Sequence, residues 1–211
     1  MRRFGSLLFA ISLFAGAVAA SAQVVPSGTG RQVSITAGGM ASIFQPDFEG
    51  DNWVCVDPSV PGCPGGYNPY AGASSYKLYG VGAYVDVRLR RWVQFEAEGR
   101  WNRWHQFEGV SEDNYLIGPR LPIYRIWKAT VYGKALGGRS KMNYGYFNGD
   151  TTEPVGSRYY TDMTFGGGVD LKLTKRLSLR AADFEYHIWP NWATSSLKPY
   201  GASVGVGYKI F

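Results

Sequence analysis

Glu96 and Glu98, His105, His187 with the serines that follow it, and the pair Cys55 and Cys63 are the residues whose types and spacing could do chemistry. The two glutamates stand two apart in VQFEAEGRW, so on a strand they share a face at roughly 6 to 7 Å. That separation suits paired acid and base carboxylates, but any strand with a charged face repeats it, and a structural charge network is the stronger reading. His105 lies in RWHQF and His187 in EYHIW, followed by Ser195 and Ser196. A serine near a histidine is the raw material of a nucleophile and its base. Neither serine carries a local motif that marks it as activated, and a histidine beside tryptophans reads as a boundary residue. Cys55 and Cys63 fall in CVDPSVPGC, within a stretch rich in Pro, Gly, Asp and Asn. Their spacing across a proline turn suits a disulfide that stiffens a loop. A zinc site competes, but no neighbouring ligand pair supports it. These residues lead to the expectation of no enzyme, no cofactor and no metal.

VQFEAEGRW also shows what positions such side chains. Val93, Phe95, Ala97, Gly99 and Trp101 alternate with Gln94, Glu96, Glu98 and Arg100, and a period of two means a strand with two unlike faces. Eight such segments of about ten residues run through the chain, the length a tilted membrane strand requires. QVSITAGGMASIF sets Val33, Ile35, Ala37, Ala41 and Ile43 against Ser34, Thr36 and Ser42. YKLYGVGAYVDVRL sets Tyr79, Val81, Ala83, Val85, Val87 and Leu89 against Gly80, Gly82, Tyr84, Asp86 and Arg88. In YLIGPRLPIY, Pro119 and Pro122 each remove a ladder donor and belong at a bulge or near a strand end. ATVYGKALGG carries Lys134 on its polar face, and MTFGGGVDLKL carries Asp170 and Lys172. LSLRAADFEYHIW changes phase halfway, which predicts a β-bulge near Ala181 to Asp183. YGASVGVGYKIF aligns Ala202, Val204, Val206, Tyr208 and Ile210 opposite Ser203, Gly205, Gly207 and Lys209.

The ends and the composition bound the class. MRRFGSLLFAISLFAGAVAASAQ reads as a secretory signal peptide, residues 1–22, with cleavage after Ala22. Its apolar run is short for the ~20 residues of a spanning helix. Losing Arg2 and Arg3 lowers Lys+Arg from 22 to 20 against 16 acids, a mature charge of +4. That is too mild and dispersed for nucleic acid. Residues 23–211 then form one domain, and 28 Gly, 15 Tyr, 11 Phe and 7 Trp without helix periodicity make it all-β. Connections after the second, fourth and sixth segments are short and the others long. An up-and-down membrane barrel, with short turns at one end and long loops at the other, has that asymmetry.

Alternation leaves open whether the apolar face is a core or a lipid surface. A soluble lipocalin-like barrel has the same period with its faces reversed. The export signal, the glycines crowding the polar face, and the small residues on the apolar face (Ala37, Ala83, Ala97, Ala135, Ala202) favour lipid outside. The inward charged set is then Asp86, Arg88, Glu96, Glu98, Arg100, Arg120, Lys134, Asp170, Lys172, Arg180, Asp183, Glu185 and Lys209. In a lumen only wide enough for side chains these groups pair across the barrel. Glu96 and Glu98 are expected to find partners among Arg88, Arg100, Arg120, Lys134 and Arg180. Lipid offers nothing to an edge strand, so the first strand must pair with the last.

FGGGVDLKLTKRLSLRAADFEY, residues 165–186, and the terminal YGASVGVGYKIF resemble the eight-stranded OmpA-like outer-membrane β-barrel superfamily, over essentially the whole mature chain. The resemblance implies an eight-stranded antiparallel transmembrane barrel in the bacterial outer membrane. Its partners would be outer-membrane lipid and lipopolysaccharide, and the barrel-assembly machinery, read through Tyr208, Ile210 and Phe211. In the usual signal the last aromatic shares a face with one two residues earlier, whereas Tyr208 and Phe211 are three apart. No peptidoglycan-binding sequence follows the barrel, so the anchoring role of longer members is not implied. A structural or porin-like role is expected first. Adhesion or ligand binding through the long loop 46–75, with Trp53, Tyr67, Tyr70 and the Cys55 to Cys63 bridge, is the alternative. A lipid A-modifying enzyme using a Ser and a His stands third.

Overall fold

The structure, a computed structural model, describes residues 33–47, 77–90, 92–105, 109–144, 156–192 and 195–210. The expected signal peptide, Cys55 and Cys63, the loop from residue 48 to 75, and Phe211 lie outside the described residues.

The described residues fold into strands β1 (Ser34–Gln45), β2 (Leu78–Arg88), β3 (Gln94–Trp104), β4 (Ser111–Ile126), β5 (Ala129–Tyr144), β6 (Gly156–Lys172), β7 (Leu177–Trp192), β8 (Ser195–Leu197) and β9 (Tyr200–Lys209). From β1 to β7 each strand pairs antiparallel with the next. Closure follows from β9, which pairs with β7 on one side and β1 on the other, Thr36 opposite Lys209 and Gln45 opposite Tyr200. Against β7, Leu197 faces Trp189 and Tyr200 faces Tyr186 in one continuous register. Strands β8 and β9 are therefore one wall strand interrupted at Lys198 and Pro199. Proline cannot donate there, but its carbonyl still accepts from the His187 N–H at 2.8 Å. The result is an eight-stranded up-and-down barrel with no exposed edge.

The faces fall as the alternation requires, and burial decides which is inside. Val81, Val85, Phe95, Ile117, Phe165, Val204 and Val206 point outward and are exposed, while Glu96, Arg100, Arg120, Lys134, Arg180 and Glu185 are buried. A soluble barrel would reverse that distribution. So large an apolar belt requires lipid around it. Aromatic residues mark its rims: Tyr79, Trp104, Tyr159 and Tyr200 at the long-loop end, and Trp92, Tyr124, Trp127 and Tyr208 at the short-turn end.

Two irregularities sit where the sequence placed them. Asp170 faces Arg180 while Val169 faces Ala182, so Ala181 is an extra residue on β7. The same shift appears against β9 between Arg180 and Asp183. This bulge is what lets Arg180 and Asp183 both point inward. On β4 the register shifts between Pro122 and Tyr124, and Pro119 lies beside Arg120, the last residue of β4 to face β3. A third shift, between Tyr79 and Val81 against β3, had no signal in the alternation.

The short turns are tightly closed. The N–H groups of Leu89 and Arg90 both donate to the Val93 carbonyl at 3.2 Å, and those of Leu173 and Thr174 to the Leu177 carbonyl at 3.0 Å. Between β4 and β5, Trp127 and Lys128 form a two-residue turn with Trp127 at φ 48°. Such a turn needs left-handed backbone.

Candidate functional site

The interior is built in layers. At the long-loop end Phe44, Leu78, Met142, Trp189 and Leu197 are essentially inaccessible, with Trp189 stacked on Tyr160 at 5.5 Å. These apolar inward residues were not read from the sequence.

Below them lies an ion-pair cluster that fills the middle of the lumen. Lys134 from β5 is its hub: its Nζ lies 2.9 Å from Glu96, 3.2 Å from Glu98 and 2.7 Å from Asp183, and it also pairs with Glu185. Arg100 from β3 donates to Glu185 across the lumen and to Glu98 at 3.2 Å. Arg180 donates to Glu96 at 2.7 Å, to Asp183 at 3.2 Å and to Asp86 at 3.2 Å. Arg120 donates to Asp86 at 2.9 Å and Asp170 at 2.6 Å, and lies 3.4 Å from Glu96. Glu96 is thus held by Lys134, Arg180 and Arg120, and Glu98 by Arg100 and Lys134.

Aromatic rings position the guanidinium groups. Arg120 stacks 3.5 Å above Tyr132, and Arg180 stacks 3.7 Å above Tyr84. The Tyr84 ring reaches across to β1 and β9, where Gly38 and Gly207 make room; a Cβ at Gly207 would lie 2.7 Å from the Tyr84 hydroxyl. Likewise a Cβ at Gly168 would lie 2.6 Å from the Tyr132 hydroxyl. Lumen glycines serve these close approaches.

Arg88, Lys172 and Lys209 depart from the expected pairing. They keep the inward phase of their strands but lie at the short-turn mouth, exposed, and enter no ion pair among the described residues. Arg88 sits next to Gln94. Strand phase specified their face but not their depth.

His187 is also placed differently from its reading as a boundary residue. It is fully buried in the lumen, its Nδ1 2.7 Å from Asp162 and 2.9 Å from Thr164, its Nε2 3.3 Å from Glu185. Ser140 donates to Asp162 as well. The alternation already sets Thr164 on the inward face with Gly166 and Gly168; Asp162 and Ser140 were missed, although Asp162 shares that phase, and His187 shares that of Asp183 and Glu185. Both ring nitrogens thus face lumen partners. His105 does lie at an exposed strand end, with Nδ1 2.9 Å from the Lys77 carbonyl. The side chain of Ser195 lies outside the described residues.

Within the cluster the carboxylates crowd one another closely enough to need a cation between them. Oxygens of Glu96, Glu98, Asp183 and Glu185 lie within 4.8 Å of one another, a donor set that could hold a metal. The Lys134 ammonium contacts all four and takes the position a cation would use.

An apolar belt outside, a charged and closed interior, and eight strands with short turns at one end define a bacterial outer-membrane β-barrel. The chain belongs to the family described as outer membrane protein beta-barrel domain, whose family model matches residues 9–209. Among solved structures, the N-terminal β-barrel domain of Pseudomonas aeruginosa OprF is similar at 13% identity and TM-score 0.52, covering 84% of this chain and 97% of that one. Neisserial surface protein A, NspA, is similar at 12% identity and TM-score 0.50, with the same coverages of 84% and 97%. These likenesses show the fold. No curated protein matches the sequence.

Proposed function

We propose that this protein is a structural barrel of the outer membrane whose ground state is closed to ions. The observation that carries this reading is the cluster around Lys134, in which Glu96, Arg100, Lys134, Arg180 and Glu185 have side chains at most 1% exposed. The apolar layer around Phe44 and Trp189 closes the same path a second time. A small-pore role would need both layers to open. Barrel-assembly machinery and outer-membrane lipid are the partners this role requires.

Adhesion through loop 46–75 is the second reading, supported by the aromatic residues and two cysteines in the sequence of that loop; an aromatic loop stiffened by a disulfide would lose less entropy on docking. Deleting the gene and complementing it separates the two. On the structural reading, deletion raises outer-membrane permeability to a hydrophobic dye, and a barrel with residues 46–75 replaced by a short Gly/Ser turn restores it. Permeability unchanged by deletion would remove the structural role. Loss of surface attachment in the loop-replaced strain would establish the adhesive one.

A further inference from the structure

At the short-turn end the lumen opens into a vestibule of about 300 Å³. Its floor is the outer edge of the ion-pair cluster, where Asp86 and Asp170 are already held by Arg120 and Arg180. Its walls are different in kind. Arg88 comes from the end of β2, Arg125 and Lys128 from around the β4–β5 turn, Lys172, Lys175 and Arg176 from around the β6–β7 turn, and Lys209 from the end of β9. Among the described residues none of these cations enters an ion pair. Arg176 donates to the Tyr208 hydroxyl at 3.1 Å, and Arg88 stands within electrostatic reach of Arg125 and Arg120 as well as of the floor carboxylates Asp86 and Asp170. Ser34, Thr36, Thr130 and Ser178 add hydroxyls to the lining.

A ring of like charges in a concavity with low-dielectric walls focuses a strong field. Headgroup anchoring accounts for basic residues that point outward at a membrane rim, but not for Arg88, Lys172 and Lys209. Arg88 shares the inward phase of Tyr84 and Asp86, Lys172 that of Gly168 and Asp170, and Lys209 that of Gly205 and Gly207. Three cations on strands far apart in sequence therefore aim into one mouth.

We propose that this vestibule is a binding site for a multiply charged, phosphate-bearing anion. Lys and Arg are the side chains suited to phosphate oxygens, the lining hydroxyls supply further donors, and one monovalent anion would leave most of the ring uncompensated. The phosphate can come from a lipid headgroup of the facing leaflet or from a soluble phosphate ester.

The test titrates inorganic pyrophosphate into the full chain, purified from outer membranes in a neutral detergent, by calorimetry. Saturable binding near one per barrel is expected. The double variant Lys172→Gln with Lys209→Gln should bind about tenfold more weakly, about 1.4 kcal/mol, while keeping its heat-modifiable gel shift. Arg103→Gln, at the opposite end and paired with Asp113, should bind as the parent does. Repeating the titration in nanodiscs separates the sources. Weaker pyrophosphate binding in discs containing cardiolipin, whose headgroup carries two phosphates, than in phosphatidylcholine discs identifies a lipid headgroup, and equal binding identifies a soluble ester. No saturable binding at millimolar pyrophosphate, or equal weakening by Arg103→Gln, overturns the proposal.

Discussion

Replacing Lys134 with Met removes the hub of the lumen cluster while keeping a side chain of similar length. The oxygens of Glu96, Glu98, Asp183 and Glu185 lie within 4.8 Å of one another, and at an effective dielectric of about 20 each such pair repels by roughly 3.5 kcal/mol. Among the described residues, Lys134 is the only group that contacts all four. Arg100 and Arg180 remain, and the carboxylates can relax or take up protons, so the net cost falls to that of stripping one partner from a buried pair, about 3 to 5 kcal/mol. At a urea slope of roughly 2 kcal/mol/M, the unfolding midpoint in micelles drops by about 2 M. Urea unfolding followed by heat-modifiable gel migration measures the effect. A deficit below about 1 kcal/mol, the worth of an exposed pair, would refute the reasoning.

Further predictions follow the same geometry. Gly207→Ala, whose Cβ would lie 2.7 Å from the Tyr84 hydroxyl, should destabilise by about 1 to 3 kcal/mol, whereas Gly39→Ala, with its nearest atom 3.8 Å away, should be nearly silent in the same urea assay. Deleting Ala181 removes the bulge and leaves Arg180 and Asp183 on one face, so a folded gel shift should survive; deleting Ala97 reverses the faces of half of β3 and should abolish it. Val85→Arg, on the lipid face, should cost about 2 to 4 kcal/mol if it lies near the bilayer midplane, measured by unfolding in vesicles. Asp162→Ala strips His187, Ser140 and Thr164 of a shared buried acceptor and should cost about 1 to 3 kcal/mol.

Phase carried most of what the sequence revealed. Wherever polar and apolar residues alternated, as in VQFEAEGRW, each residue's face was legible, and the break of phase in LSLRAADFEYHIW placed the bulge within Ala181 to Asp183, where the register puts it at Ala181. Alternation fails where both faces are apolar, which is why Phe44, Leu78 and Trp189 went unread: Phe44 follows Ile43, Leu78 precedes Tyr79 and Trp189 follows Ile188. Met142 went unread for the opposite reason, since it lies inward between the polar Lys141 and Asn143. Phase also carries no depth. Arg88 and Lys172 share a face with Asp86 and Asp170, yet strand ends place them at the mouth. His187 looked like a boundary residue because of its tryptophan neighbour, when its phase with Asp183 and Glu185 already directed it into the lumen.

Single-channel recording in a planar bilayer tests the closed barrel most directly. The parent protein is predicted to hold the baseline at moderate voltage, and a variant with Phe44, Arg100 and Lys134 all changed to Ala, which opens both sealing layers, is predicted to conduct steadily while retaining its heat-modifiable shift. Steady conductance by the parent would contradict a lumen sealed by its own ion pairs.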